Sequence, residues 1–157
     1  MLWSSHIVRC GYGINLQGGG NVSFASQEGR NNEFYWNKTA LFIDNFYGTC
    51  NLNQNNIGMH DNTEYGIYIA NSSGTVNVSA GAYYNNTYGI HTLNGSANIS
   101  GGDFYNNGWA IWVGGNVNLL GGAIHDNYYG VLTDEANNGS FTMTGGNIYS
   151  NTSHAIQ

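Results

Sequence analysis

The sequence predicts an all-β fold, a parallel β-helix of about six to seven coils in a single domain over residues 1–157. Three observations predict it. Asparagine recurs at Asn37, Asn62, Asn86, Asn107, Asn127 and Asn151, each three residues after an apolar or aromatic side chain, at spacings of 25, 24, 21, 20 and 24. Between these asparagines lie runs of three to five residues that alternate with period two, the pattern of short strands. The chain also has 24 glycines and no proline, which suits sharp corners between strands that need every backbone N–H for a ladder. A repeat of this length marks an array whose units bury their apolar faces only against their neighbours.

The elements follow in chain order. Ile7-Val8-Arg9-Cys10 is a degenerate first copy with Cys10 in the asparagine slot, where a small buried thiol is expected. After most of the asparagines comes a small residue and an aliphatic one, as in Ala40-Leu41, Gly66-Ile67 and Gly89-Ile90. This pair opens a first alternating run: Ile14-Asn15-Leu16, Leu41-Phe42-Ile43, Ile67-Tyr68-Ile69, Ile90-His91-Thr92, Ile111-Trp112-Val113 and Val131-Leu132-Thr133. A second run follows in each unit: Val22-Ser23-Phe24, Cys50-Asn51-Leu52, Val76-Asn77-Val78, Ala97-Asn98-Ile99, Val117-Asn118-Leu119 and Phe141-Thr142-Met143. Glycine pairs such as Gly101-Gly102 and Gly121-Gly122 mark corners. Two polar insertions, Ala25 to Glu33 and Asn51 to Asn56, read as corner loops. Equivalent strands stack about 4.8 Å apart, so the recurring asparagines are expected to stack on one another as a buried amide ladder.

Composition excludes several function classes. The formal net charge is −6 and the cations are Arg9, Arg30 and Lys38, too few to neutralise a nucleic-acid backbone or to hold an anionic membrane. No apolar run approaches the length of a membrane-spanning helix, so no membrane insertion is expected. Residues Met1 to His6 lack the basic and apolar regions of a signal peptide. Two cysteines make no disulfide framework, and no bond between Cys10 and Cys50 is expected.

The stretch from Ser140 to Ile148 followed by Asn151, and Gly121-Gly122-Ala123-Ile124, resemble the repeats of right-handed parallel β-helix regions in bacterial surface and secreted proteins. That group includes polymorphic outer-membrane-type adhesins and the pectate-lyase-like superfamily. The resemblance covers nearly the whole chain. It implies a right-handed helix and an extracellular or cell-surface microbial setting. It says little about activity, because the same scaffold carries adhesins, polysaccharide-degrading enzymes and fibres.

No catalytic constellation stands out. The polysaccharide lyases of this scaffold imply acidic calcium ligands beside a basic residue, and no acidic cluster flanks the three cations; Glu28 and Glu33 flank Arg30 in a solvated loop. Asp61 and Asp126 share a column but lie three coils, roughly 14 Å, apart, beyond the roughly 5 to 10 Å that glycoside hydrolysis requires. Asp103 and Asp126 form a weaker pair in different columns. His60 and His125 lie too far apart to share a metal ion, and the histidines read as surface polar residues. No catalytic residue, cofactor or metal is therefore assigned. Nine Asn-x-Ser/Thr sequons occur; Asn37 and Asn151 are ladder residues and should be inaccessible.

The surface feature is aromatic. Tyr35, Tyr84, Tyr105 and Tyr149, with His60 and His125, stand two residues before a ladder asparagine. Phe42, Tyr68 and Trp112 stand mid-strand, in line with His91 and Leu132. Both columns are expected to point outward, and these seven rings are the candidate ligand or lateral-contact residues. No segment reads as an end cap. The expectation is a non-catalytic extracellular structural element that self-associates end to end or through its aromatic columns. A glycan- or host-binding adhesin module is the alternative, and a fragment of a polysaccharide lyase or hydrolase is the third reading.

Overall fold

The structure, a computed structural model, describes residues 5–24 and 29–157. It is a right-handed parallel β-helix of six coils and the start of a seventh. Strands β1 (His6–Val8), β2 (Tyr12–Gly18) and β3 (Asn21–Phe24) make the first coil. The second holds β4 (Asn32–Tyr35), β5 (Thr39–Phe46) and β6 (Thr49–Leu52), and the third β7 (Ile57–His60), β8 (Tyr65–Ile69) and β9 (Thr75–Val78). Next come β10 (Ala82–Tyr84), β11 (Tyr88–Thr92), β12 (Ser96–Tyr105), β13 (Trp109–Val113), β14 (Asn116–His125), β15 (Tyr129–Thr133), β16 (Ser140–Tyr149) and β17 (His154–Ile156).

Each coil has three faces. The first carries β1, β4, β7, β10 and the last residues of β12, β14 and β16. The second is a seven-stranded parallel sheet in the order β2-β5-β8-β11-β13-β15-β17. The third carries β3, β6, β9 and the opening residues of β12, β14 and β16. The sequence suggested two strands per coil. The third is the segment that leads into the asparagine, paired coil on coil through Phe34↔Met59 and Tyr35↔His60. Its short span hides the alternation: only one large apolar residue per coil, such as Phe34 or Phe104, points inward from its C-terminal half.

Like residues stack on like along the interior. Ile67, Ile90 and Ile111 are in register and fully buried, and each such side chain contributes roughly 1.5–3 kcal/mol. Tyr83 is buried too, stacked 4.7 Å from Phe104, with its hydroxyl donating to the Ala80 carbonyl at 3.1 Å.

Two corners recur. The residue before each asparagine slot has left-handed backbone: Arg9, Trp36, Asp61, Asn85, Asn106, Asp126 and Ser150, with φ between 52° and 58°. Asn and Asp tolerate this conformation best among non-glycine residues. The corner between the third and first faces uses glycine instead, as at Gly122 (φ 90°), where a Cβ would also meet the Gly102 carbonyl oxygen at 2.8 Å. Here β12, β14 and β16 bend through register shifts without ending.

Of the first polar insertion, residues 25–28, including Glu28, lie outside the described residues. Its far end is not loop: Asn32 and Glu33 open β4. Asn51 and Leu52 likewise belong to β6.

Candidate functional site

The corner asparagines form the expected ladder. Asn37, Asn62, Asn86, Asn107 and Asn127 are buried and Asn151 is half-buried. The Nδ2 of Asn62 donates to Asn86 Oδ1 at 2.9 Å, Asn86 to Asn107 at 3.3 Å, Asn107 to Asn127 at 3.0 Å and Asn127 to Asn151 at 3.0 Å. Each Oδ1 also accepts the backbone N–H of the asparagine one coil earlier, as from Asn86 to Asn107 at 3.0 Å. Each Nδ2 reaches a first-face carbonyl, such as Tyr83 O for Asn107 at 2.9 Å. The ladder thus satisfies the backbone groups that the corner takes out of the sheets.

Cys10 occupies the slot but not the role. Its N–H donates to Asn37 Oδ1 at 2.9 Å, while its side chain is exposed and its Sγ lies 3.3 Å from the Val8 carbonyl. The expected buried thiol is instead Cys50, in the core, where burial pushes its pKa up to about 12. Cys10 is exposed because no described coil lies over it. Both thiols are free.

A second ladder, not anticipated, runs on the outside of the third face. Asn77 Nδ2 donates to Asn51 Oδ1 at 2.9 Å, Asn98 to Asn77 at 3.1 Å and Asn118 to Asn98 at 2.9 Å. Its signal was in the sequence, as the middle residue of four successive strand triplets. Its amides donate toward the N-terminal coils, opposite to the corner ladder.

The predicted aromatic residues fall on two faces. Tyr35, His60, Tyr84, Tyr105, His125 and Tyr149 form a continuous stack on the first face, with centroids 4.5–5.6 Å apart and planes within 12°. On the second face Phe42, Tyr68, His91 and Trp112 follow one another at 5.1–5.7 Å. Beside them Tyr65, Tyr88, Trp109, Tyr129 and His154 stack at 5.0–5.9 Å. A ring sandwiched this way presents a partner with its edge and, for tyrosine, its hydroxyl, because its π-faces are already covered. Burial raises the Tyr65, Tyr68, Tyr84, Tyr88 and Tyr105 hydroxyls above the ordinary tyrosine value, so they stay neutral.

The carboxylates read as a loop residue and scattered acids meet in register beside two histidines. Glu33 Oε2 lies 3.1 Å from His60 Nε2, and Asp61 Oδ2 lies 2.7 Å from Nδ1. Asp103 Oδ1 lies 2.8 Å from His125 Nε2, and Asp126 Oδ2 lies 2.7 Å from Nδ1. Asp103 and Asp126 therefore bracket an imidazole instead of facing an open cleft. His60 and His125, read as surface polar residues, are half-buried. The triplets His60-Asp61-Asn62 and His125-Asp126-Asn127 were a visible signal, but the second acid comes from the preceding coil. Burial alone would lower His125; the hydrogen bonds and charges of Asp126 and Asp103 overcome it and hold the ring above the usual histidine value. His91, on the second face, is the reverse. Burial lowers it to about 4 against the pull of Asp134, and its Nδ1 is buried without a partner.

The cations are engaged or apart from these clusters. Lys38 meets Glu64 at 3.5 Å on the surface, and Arg9 lies 5.6 Å over the Trp36 ring. Among the described residues no three His, Cys, Asp or Glu side chains are arranged to hold a metal ion, and no helix is long and apolar enough to cross a membrane. Comparison with protein-family models, with curated proteins and with solved structures gave no match.

Proposed function

We propose that this chain is a non-catalytic structural β-helix of an extracellular or cell-surface microbial protein, one that associates with copies of itself. The observation that carries the reading is that the side chains able to do chemistry are used along the rod axis. Corner amides bond to corner amides, rings cover rings, and the histidines with two acids are clasped between coils. What remains at the surface is repetitive rather than convergent, as suits a contact surface. The second face is the better lateral contact: Tyr68, Trp112, Tyr88 and Trp109 lie there in adjoining columns, while Glu33, Asp61, Asp103 and Asp126 line the first. Axial growth belongs to the same proposal, since a further coil laid over Asn151, from this chain or another copy, would continue the corner ladder. The extracellular, adhesin-type setting rests on the resemblance of the repeats.

A glycan-holding role is the second reading, and it moves away from the stacked columns. Sugars pack on exposed ring faces, and Tyr47, 71% exposed, stands off the columns at a corner crevice with Asn45, Asn71 and Ser73.

Sedimentation velocity and electron microscopy across a concentration series test the proposal. Oligomers or filaments that are lost in Trp112→Lys support it. Monomers that bind a glycan array, with binding lost in Tyr47→Ala, favour the second reading. Depolymerisation of a polysaccharide, abolished by Asp103→Asn, would overturn both.

A further inference from the structure

We propose that His125, held between Asp103 and Asp126, is a proton-binding site that fastens one coil to the next; Glu33, His60 and Asp61 repeat its geometry three coils earlier. A neutral imidazole has one N–H and one bare nitrogen. His125 has a carboxylate oxygen against each nitrogen, at 2.8 Å and 2.7 Å. Only a ring with hydrogen on both nitrogens makes both contacts donor to acceptor, and such charge-assisted bonds are the strong ones. The two acids come from different coils. Asp103 lies on β12, two residues before Tyr105, the register partner of His125, and Asp126 is the left-handed corner residue after β14. The proton therefore bridges adjacent turns of the rod.

The surroundings suit a retained proton. The titratable groups facing His125 are Asp103 and Tyr105 from β12, Tyr149 from β16 and Asp126 beside it. Tyr105 and Tyr149 cover its two faces, leaving the side chain 18% exposed. Those facing His60 are Glu33 and Tyr35 from β4, Tyr84 from β10 and Asp61. Gly58 clears the space for Glu33: a Cβ there would lie 2.0 Å from Glu33 Oε2. The chain has three Lys and Arg residues, so a histidine cation at position 125 changes its charge balance appreciably.

Loss of the proton leaves one carboxylate facing a bare ring nitrogen of His125 and no positive charge between Asp103 and Asp126, so the fastening weakens. His125 is held above its ordinary value in the folded chain. Its contribution is therefore complete below the unfolded histidine value and fades as pH rises through the folded one. The site is a pH-sensitive lock that opens in base and holds in mild acid, independent of whether copies associate.

Long-range proton–nitrogen NMR of the full ¹⁵N-labelled chain across the neutral range reads the ring state directly. At about pH 7 the expected result is the symmetric imidazolium pattern for His125 beside a neutral pattern for His91. Asp103→Asn and Asp126→Asn should each lower the His125 midpoint by about one pH unit, roughly tenfold in proton affinity. A neutral His125 at that pH, or a midpoint that neither substitution moves, overturns the proposal. Thermal melts give a second readout that needs no spectral assignment. The melting temperature of the native chain should fall on passing from mild acid to mild base, and that fall should shrink in His125→Gln. Parallel falls in both proteins would sink the fastening role.

Discussion

The molecule contains two asparagine ladders with the same amide-to-amide geometry, and they differ in what surrounds them. In the corner ladder Asn107 is 3% exposed and makes contacts to Asn86, Asn127, Tyr83 and Tyr105. In the outer ladder Asn98 sits half-buried on the third face and bonds to Asn77 and Asn118. The first replaces hydrogen bonds that the corner backbone would otherwise lack. The second replaces bonds that water would supply. Equal hydrogen-bond lengths thus carry unequal weight, because a net bond is worth about 0.5–1.5 kcal/mol but an orphaned buried group costs more.

Four substitutions sharpen or break that contrast. Asn107→Asp should have the largest effect. It keeps the shape but turns the two donated hydrogens into lone pairs facing the Tyr83 and Tyr105 carbonyls and Asn127 Oδ1, at a cost on the order of 3–5 kcal/mol at neutral pH. The buried acid would favour its protonated form, so its folded pKa would lie above the unfolded value. Denaturant midpoints should then recover as pH falls below that folded value. Asn107→Ala should cost roughly 2–3 kcal/mol without that pH dependence, by leaving Asn86 N–H and the Tyr83 carbonyl unpaired. Asn98→Ala should cost less than about 1 kcal/mol and Asn98→Thr close to nothing, since threonine suits an outward strand position and Thr142 stands in this column two coils on. Urea melts followed by circular dichroism, with midpoints compared pairwise, check all of them. Equal losses for Asn107→Ala and Asn98→Ala would dissolve the distinction.

The two histidine environments make the parallel point for charge. His125 and His91 both lie in aromatic stacks, yet one is raised and the other lowered to about 4. Stacking buries both; two carboxylates reverse the outcome for one.

The repeat, the corner ladder and the outward ring columns were legible in the sequence because each depends on one residue type returning at one position of the coil. The third strand was not, because its segment is only three or four residues long in the early coils and turns one or two side chains inward, too few to stand out as an alternating run. The histidine clasps were half legible. Asp61 and Asp126 follow their histidines directly, but Glu33 and Asp103 reach them from 27 and 22 residues away, and only the strand register joins them. Registers cannot be read where successive coils differ in length. Every residue of the outer ladder is the middle of a strand triplet, but an outward asparagine on a strand is indistinguishable from any solvated polar residue until its neighbours are aligned.

The opposed directions of the two ladders have an electrical consequence. Amides aligned head to tail add their dipoles, as peptide groups do in an α-helix, and leave opposite partial charges at the two ends. Here the corner column points its positive ends toward the C-terminal coils and the outer column points them back. The two rows oppose one another, so the four linked outer amides offset most of the pole that the five linked corner amides would build.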